Sequence, residues 1–387
     1  MTDANTTPFP LQTVEIQDLQ RLAHCIWNWK ICDLCDAGGT TCTNTACSWS
    51  RTKRLENFWE RYRQTTAKYI PQSLDAPALR SHKDLLDVID SIMSNQDLDR
   101  NRLLQHNFVD RTANSTKHPH VEDQNQALNI AASILFMTNC GTPSDCTNVL
   151  ENDCPPFSWR GALTASGFVA EAYLAHKHPY FDHGAEDFKR PDVVKELSAT
   201  KLAKFGFKLE PTSDLRSHLL LIHERKTIRI FHASAVLKET LIAEFEGATK
   251  CTLPHAIAFE TLSTIYDVLF PGGPKSYNLL KSLTSEHGFD KDLLEYEAPP
   301  LASGGDEEIS YDYFGHRLAE IYDEIQKPSP HGRIERWLER KSGQRYMLLA
   351  TMVGVFIAVI LGFLGLVVAI FQTWLTYQQW QHPRKGE

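Results

Sequence analysis

Residues 347–371 read MLLATMVGVFIAVILGFLGLVVAIF, 25 positions without one charged side chain. As a helix rising about 1.5 Å per residue, this stretch measures about 37 Å, enough to cross a hydrocarbon core of about 30 Å with some tilt. A helix buried in a globular core seldom runs beyond about 18 residues without a polar face, so lipid is the expected surrounding. The flanks agree. Tyr346 sits at the entry, and Trp374, Tyr377 and Trp380 follow the exit, where amphipathic rings favour the headgroup layer.

Charge sets the expected orientation. Arg333, Arg336, Arg340, Lys341 and Arg345 precede the span, and only Arg384 and Lys385 follow it, so the large N-terminal region is expected to stay in the cytosol. The first residues, MTDANTTPFPLQTVEIQD, hold no apolar segment of the kind a cleaved signal peptide needs. Sixteen residues (372–387) follow Phe371, and the chain therefore reads as tail-anchored, with a short polar tail. The sequons at Asn5 and Asn114 would then face away from the glycosylation machinery and are read as chance. A span of this length suits the thicker plasma and late secretory membranes better than the endoplasmic reticulum. Gly354, Ala358 and Gly362 recur at every fourth position, a spacing that lets two membrane helices pair closely and admits a homo-oligomer.

The 387 residues carry 40 Lys/Arg against 48 Asp/Glu, a formal charge of −8. Seven of the bases and three of the acids lie in residues 331–387, which leaves 33 bases and 45 acids, or −12, in residues 1–330. Such a balance argues against nucleic acid as a partner. Hydrophobic residues at 42% and charged ones at 23% exclude wholesale disorder and a multi-span transporter.

The sequence predicts a mainly α fold: a helical cytosolic domain with a small β-hairpin, followed by the single membrane helix. Five parts are expected: a Cys-rich segment 1–50, the helical domain 51–298, a linker, helix and basic stalk 299–346, the span and the tail. Periodicity predicts helices over Val14–Trp29, Leu55–Tyr69, a segment around Leu85–Ile92, Glu122–Met137, Ser166–Ala175, Val193–Lys204, Ala235–Phe245, Ala256–Phe270 and Tyr311–Gln326. Leu219–Ile222 and Thr227–Phe231 are β-prone runs around His223-Glu-Arg-Lys226, the predicted hairpin. Pro143, Pro155-Pro156 and Pro211 mark candidate turns, and 299–310 and 327–332 are linkers. The stretch RIERWLERKSGQR before the span suits either an anionic leaflet or a solvated stalk.

The strongest chemical signal is cysteine. Cys32-x2-Cys35, with Cys42 and Cys47 after it, supplies four soft thiolates of the kind that bind one tetrahedral Zn²⁺. The six- and four-residue intervals differ from those of common zinc fingers, and free thiols in a loop are the alternative. Disulfides suit a reducing cytosol less well. Cys140, Cys146 and Cys154 form a looser set that buried thiols explain equally well. His176, His178, Asp182 and His183 form a weaker metal candidate, interrupted by Pro179. Gly272-Gly-Pro-Lys-Ser276 fails as a phosphate loop because Pro274 stands where glycine is needed. No sequence motif assigns catalytic residues. An unfamiliar enzyme site around Asp214, His218 and His232 stays as an alternative, and it requires these side chains to meet in a pocket.

Several stretches resemble a family. They are Glu122-Asp-Gln-Asn-Gln-Ala-Leu-Asn129 with Met137-Thr-Asn-Cys140, Phe157-Ser-Trp-Arg160, Leu209–Leu219, Ile230-Phe-His232 with Leu237-Lys-Glu239, and Tyr313–Tyr322 before the stalk and span. In this order they resemble filamentous-fungal membrane proteins that have a helical cytosolic region and one C-terminal span. The resemblance covers residues 120–375, leaves the Cys-rich part outside, and brings no activity, substrate or catalytic residue with it. Two readings follow: a membrane-anchored interaction protein for a cytosolic partner, or a zinc-stabilised adaptor.

Overall fold

In the computed structural model, residues 9–36, 42, 44, 47–110, 118–141, 155–247, 253–295, 310–328 and 345–381 are described. The sequons, the linker 299–309, the stalk 329–344 and the cysteines at 146, 154 and 251 lie outside them. Contacts divide the chain into two compact units, 1–326 and 327–387. The protein is mainly helical, with one small sheet and one long apolar helix near the C-terminus.

The first unit forms around the helix Val121–Leu135, which packs on His82–Ser94 and Glu56–Thr66. Apolar residues at Ala127, Ile130, Ala131, Ile134 and Leu135 face the interior, as the period predicts, but Leu128, Asn129, Ala132 and Ser133 are buried too. This helix is therefore enclosed on nearly every side rather than amphipathic. Several of its polar groups are bonded internally: Ser133 Oγ donates to the Asn129 carbonyl at 2.8 Å and accepts from the Cys140 N–H at 2.9 Å. Asp123 accepts from the Gln72 N–H at 2.7 Å. Those bonds offset the desolvation that burial imposes on polar side chains.

Helix boundaries follow local chemistry. His82–Ser94 opens on a capping box in which Ser81 and Asp84 satisfy each other's backbone N–H groups. Ile16–Trp27 ends on Asn28 in the left-handed region, φ 54°, a conformation asparagine tolerates well. The predicted helix Val193–Lys204 is two helices, Arg190–Glu196 and Ala199–Lys204. The break at Leu197-Ser198 lets Val193, Leu197 and Leu202 all reach full burial. The predicted helix Ala256–Phe270 is α-helical over His255–Ser263 and continues as a π-helical turn to Leu269.

The hairpin exists but is part of a larger element. Strands β1 (Lys208–Thr212), β2 (Leu221–Ile222) and β3 (Thr227–Phe231) form a sheet in the order β1-β3-β2. β2 runs antiparallel to β3, with Leu221 opposite Ile228, while β1 runs parallel, with Thr212 opposite Phe231. Pro211 therefore lies inside a strand rather than at a domain-bounding turn. An edge strand tolerates it, because a missing N–H on the outer side breaks no ladder bond. A helix the periodicity does not predict, Pro274–Glu286, starts directly after Gly273 at φ 144°. Pro274 is its first residue, where proline costs nothing.

In the second unit one helix runs from Arg345 to Gln381, 37 residues. Its apolar part, Thr351–Gln378, is long and apolar enough to cross a membrane, with none of the window buried. Trp374 and Tyr377, placed by the sequence reading beyond the exit, lie within this helix. No Pro or Gly lies between Phe371 and Gln381, and Thr373 and Thr376 return their hydroxyls to the Ala369 and Gln372 carbonyls at 2.8 and 2.9 Å. Such back-bonding hides hydroxyls that lipid would not hydrate.

Candidate metal centre

Cys32 and Cys35 flank the start of a single helical turn, Asp33–Asp36, in which the Cys35 N–H reaches the Cys32 carbonyl at 2.9 Å. Cys42 and Cys47 arrive from the other side. The Ser48 N–H donates to the Lys30 carbonyl at 3.1 Å and closes the loop behind them. The result is convergence: the four Sγ atoms lie within 4.8 Å of one another. Cys32 and Cys42 Sγ are 3.7 Å apart, and the Cys32 N–H points at Cys47 Sγ at 3.3 Å. These four cysteines could bind a metal such as zinc, and they are the one such group of three or more potential ligands among the described residues. No disulfide joins them.

Electrostatics inside the cluster are uneven. Hydrogen bonds from the Cys35 backbone and side chain hold the Cys32 thiol down to about 7, while burial pushes the Cys35 thiol far up. A first ligand is thus ready to ionise near neutral pH, and the inner one needs a cation to do so.

The cluster is seated on the core of the first unit. Cys35 and Cys47 are buried, and Cys32 and Cys42 are half-buried. Gln20 donates to the Cys35 carbonyl at 2.8 Å. In the same core Trp27, Trp29, Trp49, Trp59 and Phe58 meet at tilted or edge-on angles, with ring centroids 5.1–6.1 Å apart. Trp29 Nε1 and Arg51 both bond Glu239, at 3.0 and 2.8 Å, although Glu239 is about 190–210 residues away in sequence. Next to this, Arg54 and Lys238 meet Asp292 at 2.7 and 2.9 Å. Burial pushes the Asp292 carboxyl up, but the two cations and Ser234 more than offset it, so it lies below its ordinary value. Sequence reasoning missed this apparatus. Its one visible trace is four tryptophans between positions 27 and 59.

Among the described residues, no other candidate forms a group that could hold a metal ion. His178 Nδ1 accepts from the Tyr180 N–H, Asp182 accepts from Gly184, and His183 stacks on Phe188. These are turn and packing roles. His218 is fully buried, accepts from the Phe231 N–H at Nδ1 (3.1 Å) and so donates from Nε2 to Thr264 at 2.7 Å. Asp214 accepts from Thr138 Oγ1 and from the backbone N–H of Arg216, both at 3.0 Å, rather than pairing with the Arg216 guanidinium. That guanidinium lies over the Phe157 ring. Leu215 and Leu219 are fully buried.

An apolar cavity of about 260 Å³ opens between His82–Ser94, the C-terminus of Val121–Leu135 and Ala165–Ala172, bordered by Met93, Phe136, Val169 and Tyr173. Asp214, His218 and His232 are not among its walls, and its lining carries no carboxylate, imidazole, amine or thiol. The Tyr173 hydroxyl is committed to the Phe136 carbonyl at 3.1 Å, and burial raises its pKa well above the ordinary value.

Comparison of the chain with protein-family models, with curated proteins and with solved structures finds no match.

Proposed function

We propose that the chain is a single-span membrane protein whose acidic helical unit, residues 1–326, faces the cytosol and docks a protein partner at the membrane surface. One observation carries the reading. The helix Thr351–Gln378 is apolar on every side and fully exposed, a surface that water does not tolerate and lipid does. Five Lys/Arg between Arg333 and Arg345 favour a cytosolic N-terminal side. The net charge of −12 in residues 1–330 suits a basic protein surface rather than nucleic acid. The resemblance to fungal single-pass proteins agrees with this arrangement.

Orientation is the testable part. An added N-glycosylation acceptor on a spacer after Glu387 is expected to gain a glycan in eukaryotic cells, while Asn5 and Asn114 stay bare. A glycan at Asn114 with a bare tail would reverse the reading.

A further inference from the structure

We propose that Cys32, Cys35, Cys42 and Cys47 hold one structural Zn²⁺, a clasp that fastens the loop 30–48 to the helical core. Zinc binds thiolate sulfur at about 2.3 Å, so a tetrahedral site has its sulfurs about 3.8 Å apart. The Cys32–Cys42 separation of 3.7 Å meets that edge, and all four sulfurs fall within 4.8 Å. The same 3.7 Å is far beyond a disulfide bond of about 2.05 Å. The Cys32 N–H donating to Cys47 Sγ at 3.3 Å adds an outer hydrogen bond of the kind that steadies a ligand and spreads its charge.

Ligand chemistry selects the ion. Four sulfur donors are soft, which disfavours magnesium, calcium and manganese, and tetrahedral S₄ geometry leaves zinc or iron. Four protein ligands also close the coordination sphere, with no position for water or substrate, so the ion's role is structural. Cys35 and Cys47 are buried and Gln20 bonds the Cys35 carbonyl, while Trp29 and Arg51, which flank the four cysteines in sequence, both bond Glu239, so an ion joining the four sulfurs would tie these flanks together. On binding, the thiols that are still protonated release their protons to solvent, and the ion neutralises sulfurs whose mutual repulsion would otherwise loosen the site.

The full chain, purified in mild detergent with reductant from zinc-replete cells, is the sample for the test. Elemental analysis is expected to give one zinc per chain. A mercurial thiol reagent is expected to release it, reaching half-buried Cys32 and Cys42 first. Replacement by Co²⁺ should give the intense visible bands of a tetrahedral thiolate site. Cys140→Ser should keep its zinc, and Cys32→Ser should lose it. If Cys32→Ser fails to fold, the cobalt spectrum of the unmodified chain decides alone. Less than about half an equivalent of zinc with no cobalt spectrum, an iron–thiolate or iron–sulfide chromophore, or a disulfide within the quartet would overturn the proposal.

Discussion

The two units use the same residue types to opposite ends. In residues 1–326, Leu, Ile, Val, Phe and Trp are drawn inward, and Trp59, Tyr62, Phe168 and Phe231 are among the largest fully buried side chains. In Thr351–Gln378 the same kinds of residue are exposed all round. Composition alone does not separate the cases. Periodicity and charge do: the first unit interrupts its apolar positions with polar or charged residues, and residues 347–371 carry no charge at all. The first unit buries its apolar residues within itself, and the second carries a helix long and apolar enough to cross a bilayer.

The comparison breaks most visibly in the span. Val359→Arg with Leu364→Arg should cost about 5–7 kcal/mol of insertion free energy, at about 2.5–3.5 each near the helix centre. The protein should then leave the membrane fraction with residues 1–326 still folded, as fractionation and circular dichroism would report. The converse variant, Trp59→Ala, empties a fully buried site whose ring touches both Trp27 and Trp49. It should cost about 3–5 kcal/mol in the first unit, lowering its Tm while membrane association persists. A comparable loss is expected from Lys238→Ala, which strips a buried cation from buried Asp292. Replacing both partners by apolar residues should recover much of the stability.

Acid should sharpen the contrast, because the buried titrating groups belong to the first unit. Burial pushes His218 down to about 3 and His232 down to about 4. Below about 6.5 the unfolded chain takes protons that the folded one refuses, so stability falls with pH, by up to about 1.4 kcal/mol per unit per histidine. Glu260 has the opposite sign. Burial pushes it up to about 7, although the Phe314 and Tyr313 N–H groups bond its carboxylate, so its contribution is lost as pH rises from about 4.5 through 7. Two histidines outweigh one glutamate between pH 4.5 and 6.5, and a urea titration there should show net loss toward acid. The smallest effect is expected at Gly354 and Gly362, whose substitution by Leu should leave insertion unchanged and alter only pairing, read by crosslinking.

Much of this was legible because the signals are local. The span needs only a run of apolar residues, and the capped helices His82–Ser94 and Ile16–Trp27 need only a period and a start signal. The cysteine quartet was legible from spacing, since all four ligands fall within 16 residues. What escaped was non-local or contradicted a rule. β1 carries Pro211, which counts against a strand until its edge position is known. Pro274–Glu286 buries only Ser276, Leu280 and Leu283, a stripe too thin to stand out. The Trp29–Glu239 and Arg51–Glu239 contacts join residues about 190–210 positions apart, and no local pattern encodes them. Asp214 and His218 are polar and buried, bonded by the turn and the sheet, and sequence cannot distinguish such placement from a catalytic one.

Protease protection on sealed vesicles washed at alkaline pH tests the central claim most directly. The washed membranes should retain the chain. Protease added outside should remove residues 1–326 and leave a short protected fragment beginning near Arg345, detectable through a tag after Glu387. Release of the chain by the alkaline wash, or protection of the whole N-terminal unit, would contradict the account.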